Sequence, residues 1–250
     1  MRKILIADAH LRMPDDPNYR KLLEFLSGLA GNTDTLFILG DLFEFWIGYR
    51  NTPFTHYLPV LEKLRQLAES GVSIVFFEGN HDFHMGPIFT ETLKARVYRG
   101  PAILDIEGKR VALCHGDQIN DSDPGYRLLR FLMHNRLSGM MIPIIPPRFI
   151  SWVADQMGRS SKKRHKVRNR KWDFRGILQS YAERRFADGC DIVISAHFHT
   201  PFLERNGDRI LLSLGDWITQ FSYGEWHNGD LKLKTYPESG GGDLEPAITP

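Results

Sequence analysis

Five short motifs combine carboxylate, amide and imidazole side chains at close spacing: Asp8-Ala9-His10, Gly40-Asp41, Gly79-Asn80-His81-Asp82, His115-Gly116-Asp117 and His197-Phe198-His199. Any one of them is common in unrelated chains. Together they supply seven candidate metal ligands, Asp8, His10, Asp41, Asn80, His115, His197 and His199. Oxygen and imidazole donors without thiolate suit Mn²⁺, Fe²⁺ or Zn²⁺ better than a soft metal. Seven donors exceed what one ion takes and suit two ions that share a carboxylate. Such a pair, about 3.5–4 Å apart, can hold a phosphoryl group and activate a water. Gly40, Gly79 and Gly116 stand beside the ligands, where a tight turn brings backbone close to a phosphate.

The elements that position these residues are six apolar runs, Ile4–Ala7, Leu36–Leu39, Val72–Phe77, Val111–Cys114, Ile192–Ser195 and Ile210–Leu214. Each is nearly continuous in Ile, Val, Leu or Phe, as expected of strands buried on both faces. The first five run directly into the five motifs. Between the early runs, Tyr19–Ala30 and Tyr57–Ser70 carry leucines at helical spacing. Alternating strands and helices predict an α/β sandwich. Open α/β sheets bind ligands at the carboxyl ends of their strands, so the fold should gather the motifs at one rim.

The pattern changes between Asp117 and Asp191. Helices are expected at Gly125–Leu137, Arg148–Met157 and about Trp172 to Ala187, forming a helical cap inserted over 120–188. Its apolar residues read either as helix–helix core or as an acyl-binding or membrane-facing surface. Between Arg159 and Arg175, nine Lys and Arg face the single acid Asp173, so a net charge of +2 conceals a strongly basic strip. Such a strip is either a solvated helix face or a site for phosphates or anionic headgroups. The metallo-domain is expected over 1–238, and the Gly- and Pro-rich 239–250 as a disordered tail.

With 250 residues, 42% of them hydrophobic and 25% charged, the chain is neither fibrous nor disordered overall. No apolar run reaches the ~18 residues of a membrane span. Cys114 and Cys190, each inside an apolar run, read as buried thiols in a reducing compartment. The expected setting is cytoplasmic, with the option of a peripheral position on the inner membrane face.

In order and spacing the five motifs resemble the calcineurin-like metallophosphoesterase signature, from residue 4 to about 217. The resemblance implies a pair of packed mixed β-sheets flanked by helices. It assigns Asp8, His10, Asp41 and His199 to one divalent ion and Asp41, Asn80, His115 and His197 to the second, Mn²⁺ being expected and Fe or Zn alternatives. Within the family, the chain resembles the enzymes that hydrolyse UDP-2,3-diacylglucosamine in lipid A biosynthesis. Ile38–Gly48, the run from His115 to Tyr126, and the Ser/Lys-rich stretch at 159–163 support this. The resemblance implies UMP and 2,3-diacylglucosamine 1-phosphate as products, with Asp123, Ser160, Lys163 and Arg164 on the substrate and an anionic membrane as the surface met. No protein partner is implied.

Two positions depart from the pattern. Ala196 stands where many relatives have glycine before the penultimate histidine. His81 stands where the lipid A enzymes usually carry arginine. A pyrophosphate releases a stable anion, for which a guanidinium suffices, whereas an alkoxide needs a proton that histidine can supply. His81 therefore keeps a phosphomonoester or phosphodiester substrate open. Asn80, His81 and Asp82 are the expected catalytic residues. Asp82 is expected either to hold the His81 ring in its working tautomer or to cap the turn. A non-catalytic scaffold of this fold should lack a ligand, and none is missing. Nucleic acid is disfavoured because the cap offers Met and Ile beside its cations rather than stacking aromatics.

Overall fold

The structure, a computed structural model, describes residues 2–49, 54–119, 124–141 and 173–237. Four parallel strands, β1 (Arg2–Ile6), β2 (Thr35–Ile38), β4 (Ser73–Phe77) and β6 (Arg96–Tyr98), form the centre and one edge of the first sheet. An antiparallel hairpin, β12 (Ser222–His227) and β13 (Asp230–Thr235), completes it beside β1. In the second sheet β8 (Lys109–Leu113), β9 (Ile192–Ser195) and β11 (Arg209–Ser213) run parallel. It is edged by the antiparallel strands β7 (Ala102–Ile106) and β10 (Phe202–Asn206). A two-stranded ribbon pairs β3 (Trp46–Ile47) with β5 (Asp82–Phe83).

Side chains on a strand alternate between faces, and both faces of the central strands are covered. Leu5, Phe37, Val75, Val111, Leu113, Ile192, Ile194 and Leu212 fill the layer between the sheets. Their neighbours Ile4, Ile6, Leu36, Ile38, Ile74 and Phe76 face outward against α1 (Pro17–Ser27) and α2 (Leu58–Glu69). Both helices begin with proline in the first turn, where its missing N–H costs nothing. All six apolar runs are strands, and the expected α/β sandwich of mixed sheets is observed.

The insertion begins with two helices rather than the one expected over Gly125–Leu137. They are α3 (Pro124–His134) and α4 (Arg136–Met141). Asn135 divides them: its amide donates to the carbonyls of Phe131 and Leu132, and its Oδ1 accepts the Ser138 N–H at 2.8 Å. The expected third helix is α5 (Phe174–Ala187), but it does not cap the rim. Its Leu178 and Ala182 pack on Ala112, Cys114 and Val193, so α5 is the outer layer of the second sheet. The helix expected at Arg148–Met157, most of the basic strip, and the tail after 237 lie outside the described residues. Cys114 and Cys190 are buried free thiols, as expected.

Candidate dinuclear metal centre

The parallel strands of both sheets end at one rim, and the loops leaving them interlock. Asp8 N–H donates to the Gly40 carbonyl and His10 N–H to the Asp41 carbonyl, joining the loops after β1 and β2. His197 N–H donates to Asp8 Oδ2 at 2.8 Å, joining the first sheet to the second. The contacts are tight enough to fix the residue types. A Cβ at Gly40 would lie 2.6 Å from His115 Nδ1, and one at Gly79 would lie 2.2 Å from Asp41 Oδ1. Asp8, His10, Asp41, His197 and His199 all adopt left-handed backbone, with φ between 44° and 73°. That region is uncommon without glycine and costs of order 1–3 kcal/mol where the residue is strained. Clustered on five of the seven candidate ligands, it marks a site built for function.

Six of the seven side chains fall into two neighbouring groups, and Asn80 adjoins the second. Asp8, His10 and His199 form one, and Asp41, His115 and His197 the other. Asp41 Oδ2 stands between them, 3.7 Å from His10 Nε2 and 3.4 Å from His115 Nε2. Asn80 Oδ1 lies 3.1 Å from His115 Nε2, and His197 Nδ1 lies 3.2 Å from the same nitrogen. The His115 Nδ1–H donates to the Leu39 carbonyl at 2.7 Å, leaving Nε2 as the lone-pair nitrogen. Once deprotonated, Nε2 joins Asn80 Oδ1 and Asp41 Oδ2 as one of three acceptors facing one another. Asp8 Oδ1 is buried with no hydrogen-bond donor among the described residues, 3.5 Å from His199 Nε2. Converging acceptors and an orphaned carboxylate oxygen are what divalent cations satisfy. The donor set fits the metals expected for it.

Without an ion, protons take over that charge. Burial lowers the His115 pKa, but Asp41 and Asp8 more than reverse this and bring it to about 10. His199 likewise loses to burial and gains from Asp8 and Asp216, ending at about 10. Burial would raise Asp41, yet the imidazoles of His115 and His81 hold it well below the carboxylate range. His10, buried and crowded by His81, is held well below the usual imidazole value.

His81 is buried beside this centre, its ring 4.7 Å from that of His10. Its Nδ1–H donates to the Glu44 carbonyl at 2.7 Å, which frees Nε2. Of the two roles expected for Asp82, turn capping is the one observed, and the expectation that it orients the His81 ring is corrected. The Asp82 oxygens accept backbone N–H groups of Asp41, Leu42, Phe43 and Gly79, so the carboxylate caps turns and has no place on the imidazole. Ala196, the other departure, buries its methyl in the layer between the sheets.

Two acids escaped the sequence reading. Glu44 faces His10 Nδ1 at 3.8 Å and is held by Arg12 at 2.7 Å. Asp216 lies behind His199, its Oδ2 3.5 Å from Nδ1. The signal for Asp216 was present, because the sixth apolar run ends in Leu214-Gly215-Asp216, repeating Leu39-Gly40-Asp41. Asp123, Ser160, Lys163 and Arg164 lie outside the described residues.

The pair α3–α4 sits against the same rim. Arg130 pairs with Asp117, His84 Nε2–H donates to the Met133 carbonyl at 2.9 Å, and His134 approaches the buried Glu78 at 3.7 Å. Beneath the pair these polar contacts lie beside Met133, which packs on the cluster of Phe45 and Phe83, while other apolar side chains face outward. Leu128, Phe131, Leu132, Leu137 and Met140 are exposed, Phe131 by 69% and Met140 by 73%. Exposed apolar patches mark interaction sites.

A two-sheet sandwich with joined Asp/His clusters at its rim defines a metal-dependent hydrolase, and the clusters fit the two divalent ions that such folds hold. A family model described as calcineurin-like phosphoesterase matches residues 1–201. The chain belongs to the calcineurin-like phosphoesterase family. It is similar to the UDP-2,3-diacylglucosamine hydrolase of Pseudomonas fluorescens, at 30% identity over 87% of this chain and 88% of that one. The enzyme of the same name from Vibrio parahaemolyticus is 28% identical over 95% of this chain and 99% of its own. Among solved structures, a novel archaeal phosphodiesterase shares the fold with a TM-score of 0.51 at 15% identity, covering 93% of this chain and 98% of that one.

Proposed function

We propose that this protein hydrolyses the pyrophosphate bond of UDP-2,3-diacylglucosamine, giving UMP and 2,3-diacylglucosamine 1-phosphate, with Mn²⁺ as its metal. The observation that carries the reading is the exposed apolar face of α3–α4 at the rim of a phosphohydrolase centre. A diacylated substrate needs both. The full-length similarity to hydrolases named for that substrate supports the same choice.

In this reading Asp8, His10, Asp41 and His199 hold one ion, and Asp41, Asn80, His115 and His197 the other. When bound, such ions polarise phosphoryl oxygens and lower the pKa of a water. The chain does the rest. The Leu39 carbonyl keeps the lone pair of His115 aimed at the centre. Asn80 and His81 offer an amide and an imidazole to the charge that grows on the phosphoryl oxygens. His81, fixed through Nδ1, presents Nε2 to the leaving oxygen. Asp123, Ser160, Lys163 and Arg164 are assigned to the nucleotide and sugar. The protein is placed in the cytoplasm, peripheral on an anionic membrane; no helix among the described residues is long and apolar enough to cross one. A second reading, hydrolysis of another nucleotide or lipid phosphoester, is favoured by His81, which can protonate an alkoxide.

The test is turnover with Mn²⁺ on UDP-2,3-diacylglucosamine against bis(p-nitrophenyl) phosphate. Release of UMP with kcat/KM of ~10⁴ M⁻¹s⁻¹ or more is expected of a dedicated enzyme. Turnover of the diester alone would keep the chemistry and discard the substrate.

A further inference from the structure

The loop that follows β11 holds two candidate ligands of the same ion. Its Asp216 is buried and its carboxylate is divided between two tasks. Oδ1 accepts the backbone N–H groups of Ile218, Thr219 and Gln220 at 2.8, 2.7 and 3.2 Å, which locks the carboxylate in one orientation. Oδ2 faces His199 Nδ1 at 3.5 Å, with the Thr219 hydroxyl donating between the two oxygens at 3.3 and 3.5 Å. The loop reaches His199 a second time, for Gln220 Nε2 donates to the His199 carbonyl at 2.9 Å. It also reaches Asp8, whose carbonyl accepts the Trp217 N–H at 3.1 Å. Trp217 is itself fully buried, its ring 4.7 Å from that of Phe25 on α1, so the loop is anchored in the core. His199 needs such support, since its backbone is left-handed with φ 52°.

We propose that Asp216 is the positioning residue of one metal site. It accepts the Nδ1–H of His199, which fixes the tautomer and turns Nε2 toward the orphaned Asp8 Oδ1, 3.5 Å away. A carboxylate behind a ligating imidazole orients the ring and raises its basicity, and losing it costs typically 10–100-fold in metal affinity. The effect is confined to one ion, because the other cluster uses a different device: His115 is held by the Leu39 carbonyl. The inference rests on the two-ion reading of the centre.

Asp216→Asn separates the two tasks. The amide oxygen can still accept the three loop N–H groups, while an NH₂ replaces the acceptor facing His199. Mn²⁺ binding to the chelator-stripped full chain, followed by calorimetry and by the paramagnetic resonance of free Mn²⁺, is the readout. Wild type is expected to take up two ions. Asp216→Asn should weaken one of them by ~10–100-fold and leave the other unchanged, with the Tm of the stripped protein preserved. His199→Ala should lose that same ion. Should Asp216→Asn not fold, Gln220→Ala removes only the grip on the loop and the His199 carbonyl, and should weaken the same ion several-fold. Two ions bound by the variant as tightly as by wild type would overturn the proposal. So would weakening of both ions together with a lowered Tm, which is the mark of a merely structural residue. A wild type that binds fewer than two ions would instead overturn the two-ion reading beneath it.

Discussion

Asp82 Oδ1 accepts the backbone N–H of Asp41 at 2.8 Å, across 41 positions of sequence. The same oxygen takes the Gly79 N–H, and Oδ2 takes those of Leu42 and Phe43. One buried carboxylate therefore fastens the loop after β2 to the loop after β4, and with it Asp41 to Asn80 and His81. Asp82→Ala leaves the N–H groups of Asp41, Leu42 and Phe43 buried and unpaired, while that of Gly79 keeps the Asp82 backbone carbonyl at 3.0 Å. The cost is about 1–3 kcal/mol for each that finds no new partner. The expected outcome is a loss of ~3 kcal/mol or more in the urea unfolding of the metal-free protein. Asp82→Asn, which keeps one acceptor, should lose less. A variant that unfolds like wild type yet has lost turnover would move Asp82 from the scaffold to the chemistry.

Metal uptake should release protons. With pKa values near 10, His115 and His199 are protonated in the metal-free protein at neutral pH, and an ion can bind only after their protons leave. Roughly two protons per chain are expected at pH 7.5, read from calorimetry in buffers of different ionisation enthalpy. Mn²⁺ affinity should accordingly rise with pH until about 10. The metal-free fold should do the opposite. Both folded values lie above the ordinary imidazole value of 6.5, so this stabilisation is complete below 6.5 and is lost as pH climbs through about 10. Proton-neutral uptake, or a metal-free Tm that rises across that window, would contradict the charge balance drawn for the centre.

Most of the site was legible because its ligands follow strands of one recognisable kind. β1, β2, β4, β8, β9 and β11 are buried on both faces, which leaves continuous apolar runs, and each ligand motif starts where a run stops. The edge strands carry no such run. In β13, Leu231 and Leu233 are buried while Lys232 and Lys234 point away, an alternation too short to stand out. Its hairpin did leave a local mark in Asn228-Gly229, both at positive φ as a two-residue turn requires. Glu44 and Arg12 left none, because they sit in loops where nothing periodic fixes the side-chain direction. Asp82 shows the same limit from the other side. Its neighbour in sequence is His81, but its partners are distant backbone amides that only loop closure brings near.

His81 separates the two substrate readings. Its Nε2 can give a proton to an alkoxide, where general-acid catalysis contributes about 10²–10⁴-fold. A departing UMP or sugar phosphate needs charge stabilisation more than a proton. His81→Ala should therefore cost kcat/KM more on an alkyl phosphodiester than on UDP-2,3-diacylglucosamine, and His81→Arg should restore the pyrophosphate reaction selectively. Equal losses on both substrates would assign His81 a purely electrostatic role.

The exposed face of α3–α4 makes a prediction about surfaces. Leu128, Phe131, Leu132, Leu137 and Met140 are exposed while Arg130 and His134 are turned under the helices to Asp117 and Glu78, so nothing among the described residues covers the apolar outer side. A bilayer would cover it, and the basic strip of 159–175 would add attraction to anionic headgroups. Pelleting with vesicles containing phosphatidylglycerol should recover the protein at low ionic strength and progressively less as salt rises past a Debye length of about 10 Å at 0.1 M. Phe131→Glu and Leu137→Glu should each weaken recovery without altering the metal-free Tm, because both side chains are already in water. Binding that these variants leave intact would place the contact on the basic strip alone. No pelleting at low salt would remove the membrane from the proposal and leave the apolar face to the acyl chains of a substrate extracted from it.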